Sequence, residues 1–356
     1  MNAFRSARKL FFLVALVALL LFTIGASASS SSEAVVTLSA GQAEFSAAED
    51  VVVQVTISNP TNHTIRVLKW FTPLDDVEEP LFKVARDGQP VQYLGAIYKR
   101  PAPTGADYVS LKAGESLSAS VSLAQYYDLS QSGSYSVAFD VKAANLSSEK
   151  SEGRGQPVET LTSAPIELKI EGRASGPVDA LAPLAVTGST TFNKCTTTQQ
   201  TQLVSARSQA GVYSADALAY LNANKTGARY TTWFGVVSSA RYSTAKNHFS
   251  SISSAMDTAA VKFDCGCKKK YYAYVYPNQP YNIYVCAVFW QAPLTGTDSK
   301  AGTLIHEMSH FTIVSSTDDY VYGQTNAKSL AISSPDDAVF NADNHEYFAE
   351  NTPALP

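Results

Sequence analysis

The chain has 356 residues, which is too long for one small hydrophobic core and fits two domains plus a targeting segment. Hydrophobic residues make up 45% of it and charged residues 16%, a balance typical of a globular protein and not of a disordered one. The formal net charge of -4 gives no electrostatic reason to expect a nucleic-acid partner.

The first 28 residues have the pattern of a secretory signal peptide. Basic residues precede an apolar run from Leu10 to Ile24, and Ala26-Ser27-Ala28 then offers a small-residue cleavage site. A membrane anchor is the alternative, but the apolar run is short for a bilayer span. We therefore expect a secreted, extracellular protein without membrane attachment once residues 1–28 are removed.

Residues 29–173 have the pattern of an all-β domain. Asn, Gly, Pro and Ser punctuate short apolar runs, which indicates a β-sandwich, in our interpretation an immunoglobulin-like one. The candidate strands are Val51–Ile57, Thr64–Phe71, Leu81–Val84, Leu117–Leu123, Tyr135–Val141 and Pro165–Ile170. Residues 174–190 are rich in Ala, Gly, Pro, Ser and Thr and are interpreted as a linker.

Residues 191–356 predict a second domain of the α+β class, mainly helical with a small β-hairpin or sheet. Apolar residues recur at helical spacing in Thr198–Asn222 and Thr244–Phe263. Tyr271–Tyr276 and Ile283–Phe289 resemble strands. A last helix is expected to start at Ser334-Pro335 and to continue through Phe348.

The chemistry of this second domain centres on His306-Glu307-Met308-Ser309-His310, an H-E-x-x-H motif. Residues four apart lie on one face of a helix, so His306 and His310 can direct two imidazoles at one zinc ion, with Glu307 as the base for a bound water. Thr297 or Asp298 is the expected N-cap of this helix. The alternative is a helix with two buried, hydrogen-bonded histidines and no metal.

Four cysteines lie in the same half of the chain: Cys195, Cys265, Cys267 and Cys286. An even number in an exported chain predicts two disulfides, and the Cys265-Gly266-Cys267 spacing is too tight for a usual structural zinc site. A bridge between Cys265 and Cys267 is not expected, which leaves two possible pairings.

A catalytic zinc site needs a third protein ligand. The loop after His310 carries Asp318 and Asp319 and can fold back towards the metal. A carboxylate further along, Glu346 or Glu350, is the alternative third ligand. His345 is interpreted as a hydrogen-bonded histidine at the surface or beside the ligands.

The segment Thr317-Asp318-Asp319-Tyr320-Val321-Tyr322-Gly323 resembles the G-T-x-D-x-x-Y-G motif that accompanies H-E-x-x-H in the aspzincin metallopeptidases, the family of deuterolysin and the peptidyl-Lys metalloendopeptidases. The resemblance implies that His306, His310 and Asp319 bind one zinc ion, that Glu307 is the catalytic base and that Tyr322 donates to the oxyanion. Ser316 stands where the family has Gly, so a left-handed backbone there would be strained.

Further resemblance extends from about Thr191 to Pro356 and is closest to the peptidyl-Lys subgroup. The spacing of the four cysteines is similar to that subgroup and implies the bridges Cys195–Cys265 and Cys267–Cys286. Residues 341–353 resemble its specificity helix, which implies that Asp343 and Glu346 bind a substrate lysine. Being three apart on a helix, these two acids can grip one ammonium group.

The sequence therefore predicts a secreted zinc-dependent endopeptidase that is made as a proenzyme, with residues 29–173 as its propeptide domain. It is expected to act as a monomer on protein or peptide substrates, cleaving on the amino side of lysine. A broad-specificity, deuterolysin-like peptidase and a catalytically dead secreted binding protein are the alternatives. The β domain can also be an accessory module that stays attached.

Overall fold

The computed structural model describes residues 30–74, 76–147, 158–173 and 188–356. The predicted signal peptide and most of the predicted linker lie outside these ranges. No helix within them is long and apolar enough to cross a membrane. The α+β class is confirmed, because a β-rich N-terminal region precedes a C-terminal region in which most of the helices lie.

The N-terminal region is built from short strands that alternate buried and exposed side chains. They are β1 (Ser30–Ser31), β2 (Val35–Ala40), β3 (Glu44–Phe45), β4 (Val52–Ser58), β5 (Ile65–Leu68), β6 (Phe82–Arg86), β7 (Gln89–Pro90), β8 (Ile97–Lys99), β9 (Tyr108–Leu111), β10 (Ser116–Ser122), β11 (Gly133–Ala144), β12 (Val158–Thr162) and β13 (Ile166–Ile170). Each strand predicted in this region coincides with one of these, while β1, β2, β3, β7, β8, β9 and β12 were not predicted.

Two main sheets enclose the N-terminal core. The smaller has the order β10-β4-β2 and is antiparallel throughout; the larger runs β1-β12-β11-β13-β3, with β6 and β7 attached beside β11. β4 buries Val53, Val55 and Ile57 on one face, as a period of two residues requires. Tyr135 and Phe139 of β11 belong to the same hydrophobic cluster.

The C-terminal region contains most of the helices. Its elements are β14 (Thr190–Asn193), α1 (Thr197–Asn222), α2 (Ala228–Phe234), α3 (Ser239–Thr258), β15 (Val261–Asp264), β16 (Ala273–Val275), β17 (Asn282–Val285), α4 (Lys300–His310), α5 (Gln324–Ser333), α6 (Pro335–Ala338) and α7 (Ala342–Glu350). The prediction of one helix over 244–263 was wrong at its end, because the chain leaves α3 at Thr258 and enters β15.

The predicted helix from Ser334 to Phe348 is also wrong, since α6 and α7 are separate. Between them the backbone of Asp318 donates to the carbonyl of Phe340 and accepts from the N–H of Ala342. The Asn341 side chain accepts from the N–H of Val321 and donates to its carbonyl, at 3.1 and 3.2 Å. The carbonyl of Phe340 and the N–H of Ala342, which a continuous helix would use, therefore form hydrogen bonds with the loop that follows α4.

The C-terminal sheet has the order β14-β15-β17-β16-β8. Its last strand comes from the N-terminal region: β8 pairs antiparallel with β16, with Lys99 opposite Ala273 and Tyr98 opposite Tyr274. The two halves of the chain therefore share one sheet at the site described below.

Two disulfides link the C-terminal elements, Cys195–Cys265 and Cys267–Cys286, which is the pairing implied by the family resemblance. The first ties the start of α1 to the end of β15. The second ties the segment after β15 to the end of β17.

Removing the Cys195–Cys265 disulfide should destabilise the protein more than removing Cys267–Cys286. The bridged residues are 70 and 19 positions apart, and the loop-closure entropy of chains of these lengths corresponds to about 4.4 and about 3.2 kcal/mol. We expect the Cys195→Ala/Cys265→Ala chain to lose about 1 kcal/mol more in its free energy of unfolding than the Cys267→Ala/Cys286→Ala chain. Urea unfolding followed by helical circular dichroism measures both; an equal or reversed order would contradict this account.

Candidate active site

Helix α4 carries the H-E-x-x-H motif, and every one of its residues is buried. The rings of His306 and His310 lie on one face with their centroids 4.8 Å apart. The N-cap is Ser299 and not Thr297 or Asp298: its hydroxyl accepts from the N–H of Gly302 at 2.9 Å. Asp298 cannot cap the helix because it precedes this turn in a left-handed conformation, with φ of 51°.

The loop after α4 returns the chain to the histidines. Thr317 donates its N–H to the carbonyl of Ser309, and its own carbonyl accepts from His310 Nδ1 at 2.9 Å. Because His310 Nδ1 is engaged in this way, Nε2 faces the opposite side, where Asp319 lies. Ser316 does adopt a positive φ, 51°, at a cost of about 1–2 kcal/mol for an L-residue. Its hydroxyl donates to the carbonyl of Thr312 at 3.1 Å.

These elements bring His306, His310 and Asp319 together. One Asp319 carboxylate oxygen lies 3.3 Å from His306 Nε2, and the other lies 3.5 Å from His310 Nε2. The ligand atoms that the three residues offer all lie within 4.8 Å of one another and are buried. Glu350, one alternative third ligand, instead accepts from the N–H and hydroxyl of Ser299 at 2.9 and 2.7 Å.

The donor set fits a divalent metal ion. Among the described residues, both imidazole Nε2 atoms and one Asp319 oxygen are buried without a hydrogen-bond partner, an arrangement that is costly unless a cation satisfies them. Two imidazoles and a carboxylate are ligands that zinc accepts. Both carboxylate oxygens of Glu307 are likewise buried and unpartnered, next to the ligand atoms.

Tyr322 lies on the other side of Asp319. Its hydroxyl is 3.1 Å from an Asp319 oxygen and donates to the backbone carbonyl of Tyr98 at 2.8 Å. Arg100 reaches the same hydroxyl at 3.4 Å. The Tyr322 hydroxyl therefore lies between a peptide carbonyl of the N-terminal region and Asp319, one of the three residues that could bind a metal ion.

Asp343 and Glu346, on α7, surround a buried lysine from the N-terminal region. The Lys99 ammonium donates to Glu346 at 2.6 Å and to Asp343 at 3.1 Å, and Asp298 lies 3.9 Å away. Asp343 is also 2.8 Å from Nδ1 of His306. The carboxylate of Asp343 thus contacts both the Lys99 ammonium and the imidazole of His306, which faces Asp319.

Comparisons with known proteins give the family of the chain. A family model described as lysine-specific metallo-endopeptidase, of the aspzincins, matches residues 219–350. An extracellular protease from Aeromonas hydrophila is 43% identical over 312 residues, which cover 86% of this chain and 89% of that protein. The chain belongs to the aspzincin family. It is accordingly a metalloendopeptidase that acts on peptide or protein substrates.

Two further proteins are similar to this chain over a smaller part of its length. A peptidyl-Lys metalloendopeptidase from Pleurotus ostreatus is 54% identical over 167 residues, 46% of this chain and 99% of that protein. A solved zinc peptidase from Grifola frondosa is 51% identical and covers 46% of this chain and 100% of its own, with a TM-score of 0.44.

The environment sets the protonation of the site residues of this aspzincin. Burial raises the pKa of Glu307 to about 7, and His306 and His310 oppose that rise. Burial also raises the pKa of Asp319, but the two imidazoles outweigh it, so that the pKa lies below its usual range. Burial lowers the pKa of Lys99, yet Asp343 and Glu346 more than reverse this, and the ammonium stays charged.

Sequence reasoning did not identify Lys99 as part of this region, and it gave other roles to two further residues. Asp298 was expected as the N-cap of α4 but lies near the Lys99 ammonium, and Glu350 was an alternative third ligand but accepts hydrogen bonds from Ser299. No sequence motif marks Lys99, because it lies in a short strand that was not predicted, 247 residues before Glu346.

His345 is hydrogen-bonded, as expected, but it is buried and not at the surface. Its Nδ1 lies 3.0 Å from the Asn341 carbonyl and its Nε2 lies 3.0 Å from His248 Nδ1. Burial lowers the pKa of His345 to about 3, so it is a neutral core residue.

Asp319→Asn should reduce metal binding strongly, whereas Glu350→Gln should leave it nearly unchanged. The first removes a carboxylate that faces both Nε2 atoms; the second alters a helix cap. We expect Asp319→Asn to weaken metal affinity by more than roughly 100-fold, beyond what loss of a supporting contact causes. Metal content after dialysis against a weak chelator measures both, and metal loss confined to Glu350→Gln would make Glu350 the ligand.

Proposed function

We propose that this chain is a secreted zinc endopeptidase, made as a proenzyme, that hydrolyses the peptide bond on the amino side of lysine. The observation that carries the proposal is the Tyr98–Lys99 segment. Its lysine enters the Asp343–Glu346 pocket while the carbonyl just before that lysine accepts a hydrogen bond from Tyr322. This is the arrangement that cleavage before lysine requires.

His306, His310 and Asp319 would hold one zinc ion. When bound there, zinc polarises the peptide carbonyl and lowers the pKa of water, which makes that water a nucleophile at neutral pH. The neighbouring contacts of His306 with Asp343 and of His310 with the Thr317 carbonyl orient both imidazoles for this task.

Glu307 and Tyr322 supply the remaining chemistry. Glu307 follows His306 on α4 and has no competing partner among the described residues, so its carboxylate is free to take a proton from water. It can then return that proton to the leaving amine. The Tyr322 hydroxyl, already on the carbonyl of a bound peptide, can donate to the oxyanion as negative charge develops.

The pocket is matched to an ammonium group. Lys99 is 1% exposed, with carboxylates of Asp343 and Glu346 in contact, and the ring centroids of Tyr272 and Tyr347 lie 5.1 and 6.0 Å from Nζ. Removing an ammonium from water is costly unless anionic groups replace its hydration. Because the guanidinium of arginine is planar and wider, we expect this pocket to hold it less well.

Secretion and a proenzyme form are supported by separate observations. The most extensive match described above is to a protein named an extracellular protease. Both disulfides suit an oxidising compartment. Two largely separate hydrophobic clusters, one for each half of the chain, support an N-terminal domain beside a catalytic domain. We infer that the N-terminal one is an immunoglobulin-like propeptide domain.

Glu307→Gln should retain the metal and lose turnover. The substitution keeps the size of the side chain and all three proposed ligands but removes the base, so we expect kcat to fall by about 100- to 10,000-fold or more. Hydrolysis of a lysine-containing peptide, together with metal content, measures the two effects. Chelator treatment of the parent chain should likewise abolish hydrolysis. Full activity of either preparation would refute the metallopeptidase mechanism.

Glu346→Gln should erode the preference for lysine. Loss of one partner of a buried charge pair costs about 2–5 kcal/mol, so kcat/KM for lysyl peptides should fall by at least about 30-fold. Asp343 is the less clean choice because its carboxylate lies 2.8 Å from His306 Nδ1, whereas that of Glu346 lies 3.5 Å away. Asp336→Asn, at an exposed acid on α6, is the matched control.

Peptide mapping of a protein digest provides the decisive comparison for specificity. The parent chain and the Asp336→Asn variant should produce fragments that begin with lysine. Cuts by the parent chain that scatter over apolar residues would instead indicate a broad-specificity, deuterolysin-like peptidase.

A further inference from the structure

Strand β8 occupies the position in which a peptide substrate would lie. Within the C-terminal region, β16 pairs with β17 along one edge. The N–H and carbonyl groups of its other edge can pair with an extended peptide. β8 fills that edge in antiparallel register, and the N–H of Tyr272 donates to the carbonyl of Lys99 at 3.0 Å. The N-terminal region thus supplies a strand to the candidate active site.

The bond between Tyr98 and Lys99 is held at both of its ends. On one side the Tyr98 carbonyl oxygen is 2.8 Å from the Tyr322 hydroxyl, which is itself 3.1 Å from Asp319. On the other side the Lys99 ammonium is 2.6 Å from Glu346. With the proposed lysine specificity, on which this inference rests, the bond in this position is the one to be cut.

Neighbouring contacts fix the segment in place. Arg100 forms buried ion pairs with Glu79 and, at 3.1 Å, with Glu78, and its guanidinium lies 5.0 Å from the Trp70 ring centroid. The Tyr98 ring packs against Tyr274 at 4.9 Å. Since the reacting bond is presented by rigid surroundings, little ordering remains to be achieved before reaction.

We propose that Tyr98–Lys99 is this enzyme's own first substrate, and that it excludes external lysyl peptides until it is cut. Glu307 takes a proton from water as the hydroxide oxygen adds to the Tyr98 carbonyl carbon. The bond from that carbon to the Lys99 nitrogen then breaks, and the proton passes to the nitrogen. One water is consumed, and the products are a carboxyl terminus at Tyr98 and an amino terminus at Lys99.

The segment acts both as a substrate and as an inhibitor for one physical reason. The pocket that recognises lysine holds a single ammonium, and Lys99 fills it at 1% exposure. An external lysine can enter only after Lys99 has left. Hydrolysis cuts the chain on one side of Lys99, so that Lys99 stays attached to the catalytic half only through the residues that follow it. With one of its two connections broken, the ammonium can leave the pocket and an external lysine can compete for it.

The first experiment follows the full-length chain after zinc is added to the chelator-treated protein. Intact mass and N-terminal sequencing should reveal a fragment beginning at Lys99, formed at a rate that does not change over a tenfold range of protein concentration. Glu307→Gln should not form this fragment. Lys99→Met should lose this cut, whereas Lys169→Met, at a 72% exposed lysine of β13, should retain it.

The second experiment measures binding of a fluorescent lysyl peptide and does not depend on turnover. The Glu307→Gln chain should bind the peptide at least tenfold more weakly than the Glu307→Gln/Lys99→Met chain, with circular dichroism confirming that both are folded. Equal binding by the two chains would overturn the inference. If the double variant did not fold, tight binding of the peptide by the Glu307→Gln chain would overturn it by itself.

The outcomes separate this inference from the proposed function. If external lysyl peptides are cut while no Lys99 terminus forms, the peptidase assignment stands and the inference is wrong. A cut at Tyr98–Lys99 that persists in Lys99→Met also overturns it. If neither the internal bond nor any external lysyl bond is cut, the proposed specificity itself fails.

Discussion

The active site depends on one constraint, the complete burial of a helix that carries ionisable groups. In α4, His306, Glu307 and His310 are at most 1% exposed. Buried polar groups are tolerated only when partners or a cation replace water. The loop after α4 meets part of that requirement, because the Thr317 carbonyl accepts from His310 Nδ1. It also places the Asp319 carboxylate near both Nε2 atoms, where a bound cation would satisfy all three groups.

Helix α7 also supplies a partner to the buried groups of α4, and the same carboxylate contacts the lysine pocket. Asp343 contacts His306 Nδ1, accepts from the N–H of Gly323 at 2.6 Å and contacts the Lys99 ammonium. Its position would therefore couple the proposed recognition of a substrate lysine to the orientation of a proposed metal ligand. A substrate lysine in this pocket would be in contact with the same carboxylate that holds His306, which brings binding and chemistry into one hydrogen-bonded group.

The N-terminal region completes this arrangement with charges of the opposite sign. Lys99 and Arg100 are adjacent in sequence but point into different acidic groups, one on α7 and one in the N-terminal region itself. Adjacent residues of an extended strand face opposite sides, so a two-residue segment can be gripped by both halves of the protein at once. This explains how the region holds a peptide bond beside the proposed catalytic groups.

The sequence by itself determined most of the secondary structure and the choice of chemistry. Short apolar runs between turn residues identified β4 and β11, helical spacing identified α1, and the H-E-x-x-H motif identified α4, because each of these signals is local in the chain. The α+β class follows from the same signals. The assignment of roles to His306, Glu307, His310, Asp319 and Tyr322 rested on the family resemblance and stays a prediction until it is measured.

Only the tertiary structure decided where distant residues meet. The helix expected to run from Ser334 to Phe348 divides because Asp318 and Asn341 form bonds that local propensity does not record. Glu350 binds Ser299, the N-cap of α4, because α7 packs against that helix. Lys99 reaches Glu346 across 247 residues of chain, through a strand too short to be predicted. Such contacts arise from the packing of separate elements, and no period or motif within one segment of the sequence encodes them.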